Sequence, residues 1–254
     1  MSQDLSRDAF LGGRLHLWQP VSGFRAGVDS VLLAASVPAS PGQSVLELGC
    51  GVGAAILCLG ARVPALKLTG VEVQPLYADL AARNGGGALE VIAADIANLP
   101  DALRQRQFDH VIANPPYFDR RDGHVARDTG RETAHGERTP LATWIEVAAR
   151  RLAPKGCLHV IHRVERLPDL LCAATPVLGS IEVQPISARP GRRPERMIVR
   201  ARKGGRSAFK LHAPLVMHEG RHHDGDRDSY VPAIQAVLRD AAPLDFGSAE
   251  FAGR

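Results

Sequence analysis

The residues best suited to chemistry are Asn114-Pro115-Pro116-Tyr117-Phe118, which follow the apolar run Phe108–Ala113. The apolar run predicts a buried strand. The two prolines must end that strand in a rigid turn, because proline has no N–H for a strand ladder and cannot extend one. The turn presents an amide side chain, a proline carbonyl and an aromatic ring together. These groups suit a planar amino group, since two oxygens can accept its two hydrogens and the ring can stack on its face.

Three earlier strand ends also carry residues that could hold a ligand. The run Glu47-Leu48-Gly49-Cys50-Gly51-Val52-Gly53 permits a tight turn and a close approach of the backbone. Glu72 could accept the hydroxyls of a ribose, and Asp95 could accept an adenine amino group. Each residue has an ordinary alternative as well: a dinucleotide-binding or ligand-free turn for the glycines, and a helix cap or solvated charge for the acids. Their succession at strand ends indicates one ligand site at that edge of a sheet.

A regular alternation of strands and helices positions these residues. The pattern predicts strands at Ser44–Leu48, Lys67–Val73, Leu89–Ala93, Phe108–Ala113, Cys157–Ile161, Ser180–Ile186 and Arg196–Arg202. The connection between the last two strands is too short for a crossover helix, so these two must be antiparallel. We therefore predict an α/β fold: a doubly wound, seven-stranded, mainly parallel sheet with an antiparallel C-terminal strand pair.

The sequence divides into three predicted segments, residues 1–43, 44–203 and 204–254. The first holds a short hairpin over residues 10–20 and a helix that Asp29 could cap. The second is the α/β core. The third is a polar tail with one further helix.

Two details of the core bear on the site. Pro75 suits the first position of a helix, and the pattern predicts that Leu76 and Leu80 of that helix face inward. Residues 119–140 form a polar insertion with five arginines and five acids. A loop of that length is usually a functional lid or disordered.

Composition narrows the classes of protein. With 254 residues, 45% of them apolar, the chain can bury the core of an ordinary domain. No stretch approaches the ~20 apolar residues of a membrane span, and the N-terminus has no apolar signal-peptide segment. The four cysteines include no C-x-x-C pair, and the histidines match no zinc spacing. We therefore expect a cytoplasmic protein that binds no metal.

The positive charge is concentrated in one place. Residues 189–206 contain eight basic residues against one acid, Glu195, within a chain whose net charge is only +4. Such a segment can attract a phosphate backbone. On these grounds alone, a solvated strand edge in an arginine-rich protein explains it equally well.

These motifs together resemble the class I S-adenosylmethionine-dependent methyltransferases. The glycine turn, Glu72, Asp95 and Asn114-Pro115-Pro116-Tyr117 match the motifs of that family in order. N-P-P-Y marks its amino-methylating branch, whose targets are N6 of adenine, N4 of cytosine or a glutamine amide. Gln19-Pro20-x-x-Gly23-Phe24-Arg25 and Arg189-Pro190-Gly191-Arg192-Arg193-Pro194 are similar to bacterial tRNA adenine-N6 methyltransferases that modify the base beside the anticodon of a valine tRNA.

The resemblance implies a Rossmann-like methyltransferase fold, S-adenosylmethionine as cofactor and tRNA as partner. The residues implied to bind the cofactor are Glu47, Gly49 and Gly51 around its methionine part, Glu72 at its ribose and Asp95 at its adenine. The residues implied to be catalytic are Asn114, Pro115 and Tyr117. The residues implied to bind the substrate are Phe118, Arg189, Arg192 and Arg193. The oligomeric state stays open, with a monomer plausible.

Other readings remain at this point. A ribosomal RNA adenine is a second nucleic-acid target. A release-factor glutamine amide is a protein target, although that family carries an N-terminal helical domain and only 43 residues precede the first predicted strand here. A non-catalytic RNA-binding protein that keeps the fold is a third reading, and it would have no use for the Asn114 acceptor.

Overall fold

The computed structural model describes residues 4–116, 139–220 and 229–248. The strands are Leu5–Phe10 (β1), Leu15–Pro20 (β2), Ser44–Leu48 (β3), Lys67–Glu72 (β4), Leu89–Ala93 (β5), Phe108–Ala113 (β6), Leu152–Arg163 (β7), Gly179–Ser187 (β8), Arg196–Arg202 (β9), Lys210–Leu211 (β10) and Leu215–Val216 (β11). The α-helices are Val28–Ala35 (α1), Ala54–Arg62 (α2), Pro75–Gly85 (α3), Asp101–Arg104 (α4), Leu141–Arg151 (α5), Leu167–Ala174 (α6) and Pro232–Asp240 (α7).

One large sheet organises the core. Its strand order is β10-β8-β9-β7-β6-β3-β4-β5, and β11 also pairs with β8. Strands β3 to β7 are parallel to their neighbours within that group, whereas β9 runs antiparallel between β7 and β8. The carboxyl ends of β3 to β8 and the amino end of β9 therefore meet at one edge, which we call the carboxyl edge. This arrangement confirms the predicted doubly wound, mainly parallel sheet with an antiparallel pair.

Both faces of the sheet are covered, as its apolar strands require. Val45 and Ile112 pack into the hydrophobic cluster on one face. Leu46 and Val111, one residue away on the same two strands, pack into the cluster on the other face. Because β3 and β6 are central and buried on both sides, the groups at their carboxyl ends are held rigidly.

The tail adds to the sheet. Strands β10 and β11 each pair in parallel with β8, and α7 contacts α1. The seven predicted strands are all present, but the prediction missed these two. Strands of two residues have too few side chains to show a period.

Two local predictions about the N-terminal segment were wrong. The hairpin begins at Leu5 rather than at residue 10, since β1 pairs with β2 from Leu5 opposite Pro20 to Phe10 opposite Leu15. Asp29 is not the N-cap of α1: the N-cap is Gly27, and Asp29 lies in the first turn of the helix. The Asp29 carboxylate instead accepts a 2.7 Å hydrogen bond from Nε of Arg196, at the amino end of β9.

Three of the four cysteines are buried. Cys50, Cys58 and Cys157 are buried with free thiols, and burial raises the pKa of Cys58 to about 12. Cys172 is exposed.

Within residues 4–116, 139–220 and 229–248, no three histidine, cysteine or acidic side chains come together as metal ligands. In the same ranges no helix has both the length and the apolar character needed to cross a membrane.

Three histidines are buried inside the sheet, at positions 110, 159 and 162. The rings of His110 and His159 lie 5.6 Å apart on neighbouring strands. His110 Nε2 is 3.2 Å from Oε1 of Gln43, and neither ring nitrogen of His159 has a hydrogen-bond partner within the described part of the chain. Burial lowers the pKa of His110 and of His162 to about 4, and it lowers that of His159 well below its usual value.

We expect the free energy of unfolding to fall as the pH drops below 6.5. These rings are neutral in the folded chain but take up protons once unfolded, where their pKa is near 6.5, so acid favours the unfolded state. His110 alone should contribute about 2 kcal/mol of this loss at pH 5. Urea unfolding at pH 7.5 and pH 5 measures it in the protein and in His110→Gln. Identical pH dependence in both would contradict the role of this ring.

Candidate functional site

The glycine turn between β3 and α2 lies at the carboxyl edge, where the strand order reverses between β3 and β6. Gly49 and Gly51 have φ values of +64° and +55°, which side chains disfavour. Space is also short at Gly49, because a Cβ there would lie 2.6 Å from the Trp144 indole of α5. The turn is therefore shaped for glycine by both backbone conformation and packing.

Asn114, Pro115 and Pro116 follow β6 directly, beside this turn. Leu48 pairs with Ala113, so Gly49 and Asn114 leave the sheet next to each other. Asn114 is half-buried, Pro115 is buried and Pro116 is exposed. Tyr117 and Phe118, predicted for catalysis and substrate binding, lie outside the described residues. The structure thus places the predicted amide and proline carbonyl next to the glycine turn.

Glu72 connects the end of β4 to the glycine turn. Its Oε2 accepts a hydrogen bond from the Gly51 N–H, and its Oε1 accepts one from the Gln74 N–H, each at 2.9 Å. A carboxylate oxygen can accept two hydrogen bonds, so both oxygens retain capacity for a ligand. The binding of two ribose hydroxyls by Glu72 stays a prediction.

Glu47 points into the protein. It is 3% exposed, and its Oε2 accepts a 3.0 Å hydrogen bond from the Ile56 N–H in the first turn of α2. Burial raises the pKa of Glu47 well above its usual value, the Ile56 N–H opposes this, and the nearby Glu72 charge adds to it. Glu47 thereby supports the start of α2 behind the glycine turn. Its contact with the methionine part of a cofactor stays a prediction.

Asp95 has the capping role that its sequence position suggested as the alternative to ligand binding. Its Oδ1 accepts a 2.9 Å hydrogen bond from the Ala97 N–H and so caps the short 3₁₀ helix Ile96–Asn98. The residue is exposed, and its second oxygen can still accept a hydrogen bond from a ligand. The contact with adenine stays a prediction.

Sequence reasoning missed an apolar surface around this site. The Phe24 ring lies over the glycine turn, 3.9 Å from where a Cβ on Gly51 would be, and is 40% exposed. Val73 and Leu76, just after Glu72, are also exposed, so the prediction that Leu76 faces inward was wrong. Exposed apolar side chains beside polar groups suit the flat faces of a nucleoside. The sequence signal for Val73 and Leu76 was their position just after the end of β4, whereas Phe24 belongs to the motif Gln19-Pro20-x-x-Gly23-Phe24-Arg25.

Two side chains of α3 hold the N-terminal segment in place over the turn. The Tyr77 hydroxyl accepts a hydrogen bond from the Phe24 N–H at 3.0 Å and lies 3.3 Å from the Phe24 carbonyl. The Asn84 amide bonds both backbone groups of Trp18 and donates to the Val52 carbonyl at 3.0 Å. The hairpin and its following loop are thus part of the site.

The predicted basic segment is divided by the fold. Arg189, Arg192, Arg193 and Arg196 lie at the carboxyl edge, in or beside the β8–β9 connection. From Arg200 onward the chain runs along β9 to the opposite edge, so only the first half of residues 189–206 lies at the carboxyl edge.

The arginines at the carboxyl edge differ in how they are held. Arg189 bonds the Glu219 carbonyl and lies 3.2 Å from Ser229 Oγ, and Arg196 pairs with Asp29. Arg192 and Arg193 are exposed, and within the described residues neither forms an ion pair. These two side chains are the ones available to a phosphate.

Comparison with known proteins agrees with this geometry. Residues 24–174 match the model of the methyltransferase small domain. The chain is 31% identical over 204 residues to a protein of Porphyromonas gingivalis named tRNA1(Val) (adenine(37)-N6)-methyltransferase, covering 75% of this chain and 79% of that one. It is 27% identical to the Haemophilus influenzae protein of the same name, with coverages of 73% and 81%.

Solved structures show the same fold. A structure titled as a predicted O-methyltransferase from Agrobacterium tumefaciens has a TM-score of 0.70 and 26% identity, covering 85% of this chain and 98% of its own. A Thermus thermophilus 16S rRNA N2 G1207 methyltransferase, solved with AdoMet and guanosine, has a TM-score of 0.55 and 20% identity. It covers 80% of this chain and 51% of its own, and at that identity it supports the fold alone.

Proposed function

The chain belongs to the methyltransferase small domain family and is an S-adenosylmethionine-dependent methyltransferase, and we propose that it methylates N6 of the adenine beside the anticodon of a valine tRNA. The observation that carries this proposal is the Asn114-Pro115-Pro116 turn, side by side with the glycine turn at the point where the sheet reverses. The names of the relatives supply the tRNA and the position of the base. We also propose that the protein works in the cytoplasm, where tRNA is found, without a metal ion.

The described residues fit the cofactor. The glycine turn leaves its backbone open to a ligand, Glu72 keeps two acceptor sites at the end of β4, and Phe24 offers an apolar face beside them. When bound, S-adenosylmethionine supplies a methyl group already activated on a sulfonium. The protein therefore needs to bring the nitrogen and the methyl group into line, which is the main source of rate for such a transfer.

The Asn114 turn prepares the nitrogen. The lone pair of an adenine amino group is delocalised into the ring, so the flat amine is a poor nucleophile. If the Asn114 side-chain oxygen and the Pro115 carbonyl accept its two hydrogens, the nitrogen can become pyramidal and its lone pair can point at the methyl group. The base must leave its stack to reach this turn, and a loop beside an anticodon presents bases that are not paired.

Labelled methyl transfer tests the proposal. We expect the protein to transfer tritiated methyl groups from S-adenosylmethionine to total tRNA, and nucleoside mass spectrometry to identify N6-methyladenosine in one tRNA species. Tritium in ribosomal RNA would identify a ribosomal RNA adenine as the substrate, and tritium in protein would identify a glutamine amide. A protein that binds tRNA and transfers no methyl group to any fraction would be a binding protein that keeps the fold.

The exposed arginines at the carboxyl edge should contribute to tRNA binding. We expect the Arg192→Ala/Arg193→Ala variant to raise the KM for tRNA about 10-fold, because two phosphate contacts are lost, with little change in the KM for the cofactor. The slope of log affinity against log salt should become shallower by about 1 to 2. Titrations at several salt concentrations measure both effects.

A charge-matched control is available at the opposite edge of the sheet. Arg202 and Arg206 are also exposed, and Arg202→Ala/Arg206→Ala removes the same two charges away from the site. Equal losses in the two double variants would mean that net charge alone, rather than the carboxyl edge, attracts the tRNA.

A further inference from the structure

A carboxylate on the N-terminal hairpin joins both of its strands to the loop of residues 21–26, which we call the Phe24 loop. Oδ2 of Asp8, in β1, accepts a 2.6 Å hydrogen bond from Nε2 of Gln19, in β2. The same oxygen accepts a 2.6 Å hydrogen bond from Nη2 of Arg25, in the loop. Gln19 is 1% exposed, so its amide belongs to a buried polar network. Such a network holds its members in one arrangement when its groups are paired.

The same side chains close the Phe24 loop at its base. Oε1 of Gln19 accepts a 2.8 Å hydrogen bond from the Ala26 N–H, at the end of the loop. Nη1 of Arg25 donates to the Pro20 carbonyl at 3.1 Å, at the end of β2. The two ends of the loop are therefore tied to the side chains that Asp8 orients.

The tip of the loop is held against α3, above the glycine turn. The Phe24 N–H donates to the Tyr77 hydroxyl at 3.0 Å, and a Cβ on Gly23, whose φ is +107°, would lie 3.0 Å from the same hydroxyl. The Phe24 ring lies 3.9 Å from where a Cβ on Gly51 would be. Because the ring projects from a loop that is fixed at its base and at its tip, its place over the glycine turn depends on both.

The hairpin strands are joined by their own backbones. β1 and β2 pair along their whole length, from Leu5 opposite Pro20 to Phe10 opposite Leu15. Arg25 lies beyond the end of that ladder, so its bond to Asp8 connects the loop and not the strands. A hydrogen bond between two charged groups is also stronger than one between neutral groups. The network is therefore placed to hold the loop, whereas the backbone ladder holds the hairpin.

We propose that Asp8 is a positioning residue for cofactor binding, whose carboxylate orients Gln19 and Arg25, closes the base of the Phe24 loop and thereby holds the Phe24 ring in place for the cofactor. The inference rests on the proposed function, in which the glycine turn and Phe24 bind S-adenosylmethionine. Asp8 acts through the loop and not by contact with the cofactor. An apolar face that is already in place binds a ligand without the cost of ordering it.

Cofactor affinity measures this role without any methyl acceptor. In calorimetric titrations with S-adenosylmethionine, we expect Asp8→Ala to raise the Kd about 5- to 10-fold, since the loop must then be ordered on binding. Asp8→Asn keeps an oxygen that can accept a hydrogen bond from Gln19 or Arg25, so it should recover part of the loss. Asp240→Ala is the matched control, because it removes an acid that pairs with Arg14 at the far end of the same hairpin, and it should keep the Kd of the wild type. Thermal unfolding of each variant shows that the titrated protein is folded.

A double-mutant cycle with Phe24 shows whether Asp8 acts through the loop. Phe24→Ala should by itself raise the Kd about 10-fold, because the cofactor loses an apolar face. If Asp8 acts by placing that ring, adding Asp8→Ala to Phe24→Ala should raise the Kd by less than about 2-fold more. Losses that multiply in the double variant would mean that Asp8 acts independently of Phe24, and they would overturn the inference. A wild-type Kd in Asp8→Ala would overturn it as well.

The result is separable from that of the proposed function. A wild-type protein that binds S-adenosylmethionine and methylates no tRNA would contradict the proposed substrate, and a coupled cycle in that protein would still support the positioning role of Asp8. Conversely, a wild-type Kd in Phe24→Ala would remove Phe24 from the cofactor site and overturn this inference, even in an enzyme that methylates tRNA.

Discussion

Replacing Asn114 with alanine is expected to lower kcat for methyl transfer by about 10²- to 10³-fold, on the scale of removing one oriented hydrogen-bonding group from an active site. The side-chain oxygen is proposed to accept one of the two amino hydrogens, and without it the nitrogen keeps its lone pair in the ring. The Kd for S-adenosylmethionine should change little, because the cofactor is assigned to the glycine turn, Glu72 and Asp95. Single-turnover methyl transfer and calorimetric cofactor binding measure the two quantities.

A second substitution distinguishes the acceptor from the shape of the side chain. Asn114→Asp keeps an oxygen of the same reach, so it should retain more activity than the alanine variant. If both variants are equally inactive while still binding the cofactor, the amide NH₂ or the packing of the side chain is what matters. If the alanine variant is fully active, the amino group is not activated at this turn.

Elements with strong local signals were predictable from the sequence. β3, β5, β6 and β9 have the predicted bounds, because each is an apolar or alternating run that proline, glycine or polar residues end on both sides. The location of the site could also be predicted, from the topology of the sheet. In a parallel sheet all carboxyl ends lie at one edge, so residues far apart in sequence that follow successive strands must meet there.

The side-chain contacts within the site were not predictable. Asp29 and Arg196 are separated by 167 positions, and nothing local in either segment indicates that they pair. The sequence suggested Asp29 as a helix cap because capping is predicted from the residue types at the start of the helix alone. Glu47 was assigned to the cofactor from the family resemblance, but the pattern of a strand buried on both faces does not tell which way a single acid points.

The exposure of apolar side chains at the site could not be predicted from the sequence either. Helical spacing predicted that Leu76 is buried, yet it is 38% exposed. Hydrophobic periodicity records only that a residue is apolar, and a ligand-facing side chain satisfies it as well as a core side chain. The position of the basic segment could not be predicted for a related reason. A count of charges along the sequence does not show that β9 carries the chain across the sheet, from Arg196 at the carboxyl edge to Arg202 at the opposite edge.

Gly49→Ala is the substitution expected to damage the fold and the cofactor site together. Its positive φ should cost about 1–2 kcal/mol, and the overlap of the new Cβ with the Trp144 ring should add about 1–3 kcal/mol. The turn must shift to relieve this overlap, so cofactor affinity should fall as well. Urea unfolding and cofactor titration measure the two losses.

Gly86→Ala separates the two causes. Gly86 ends α3 with a φ of +52°, but a Cβ there would meet nothing within 4 Å, so this variant carries the backbone cost without the overlap. The difference between the two alanine variants is therefore the packing cost at Trp144. Adding Trp144→Phe, which removes the outer ring atoms, should recover part of that difference, giving a coupling energy of about 1–2 kcal/mol in a double-mutant cycle. Additive losses would show that Trp144 does not constrain the glycine turn and that Gly49 is required by its backbone conformation alone.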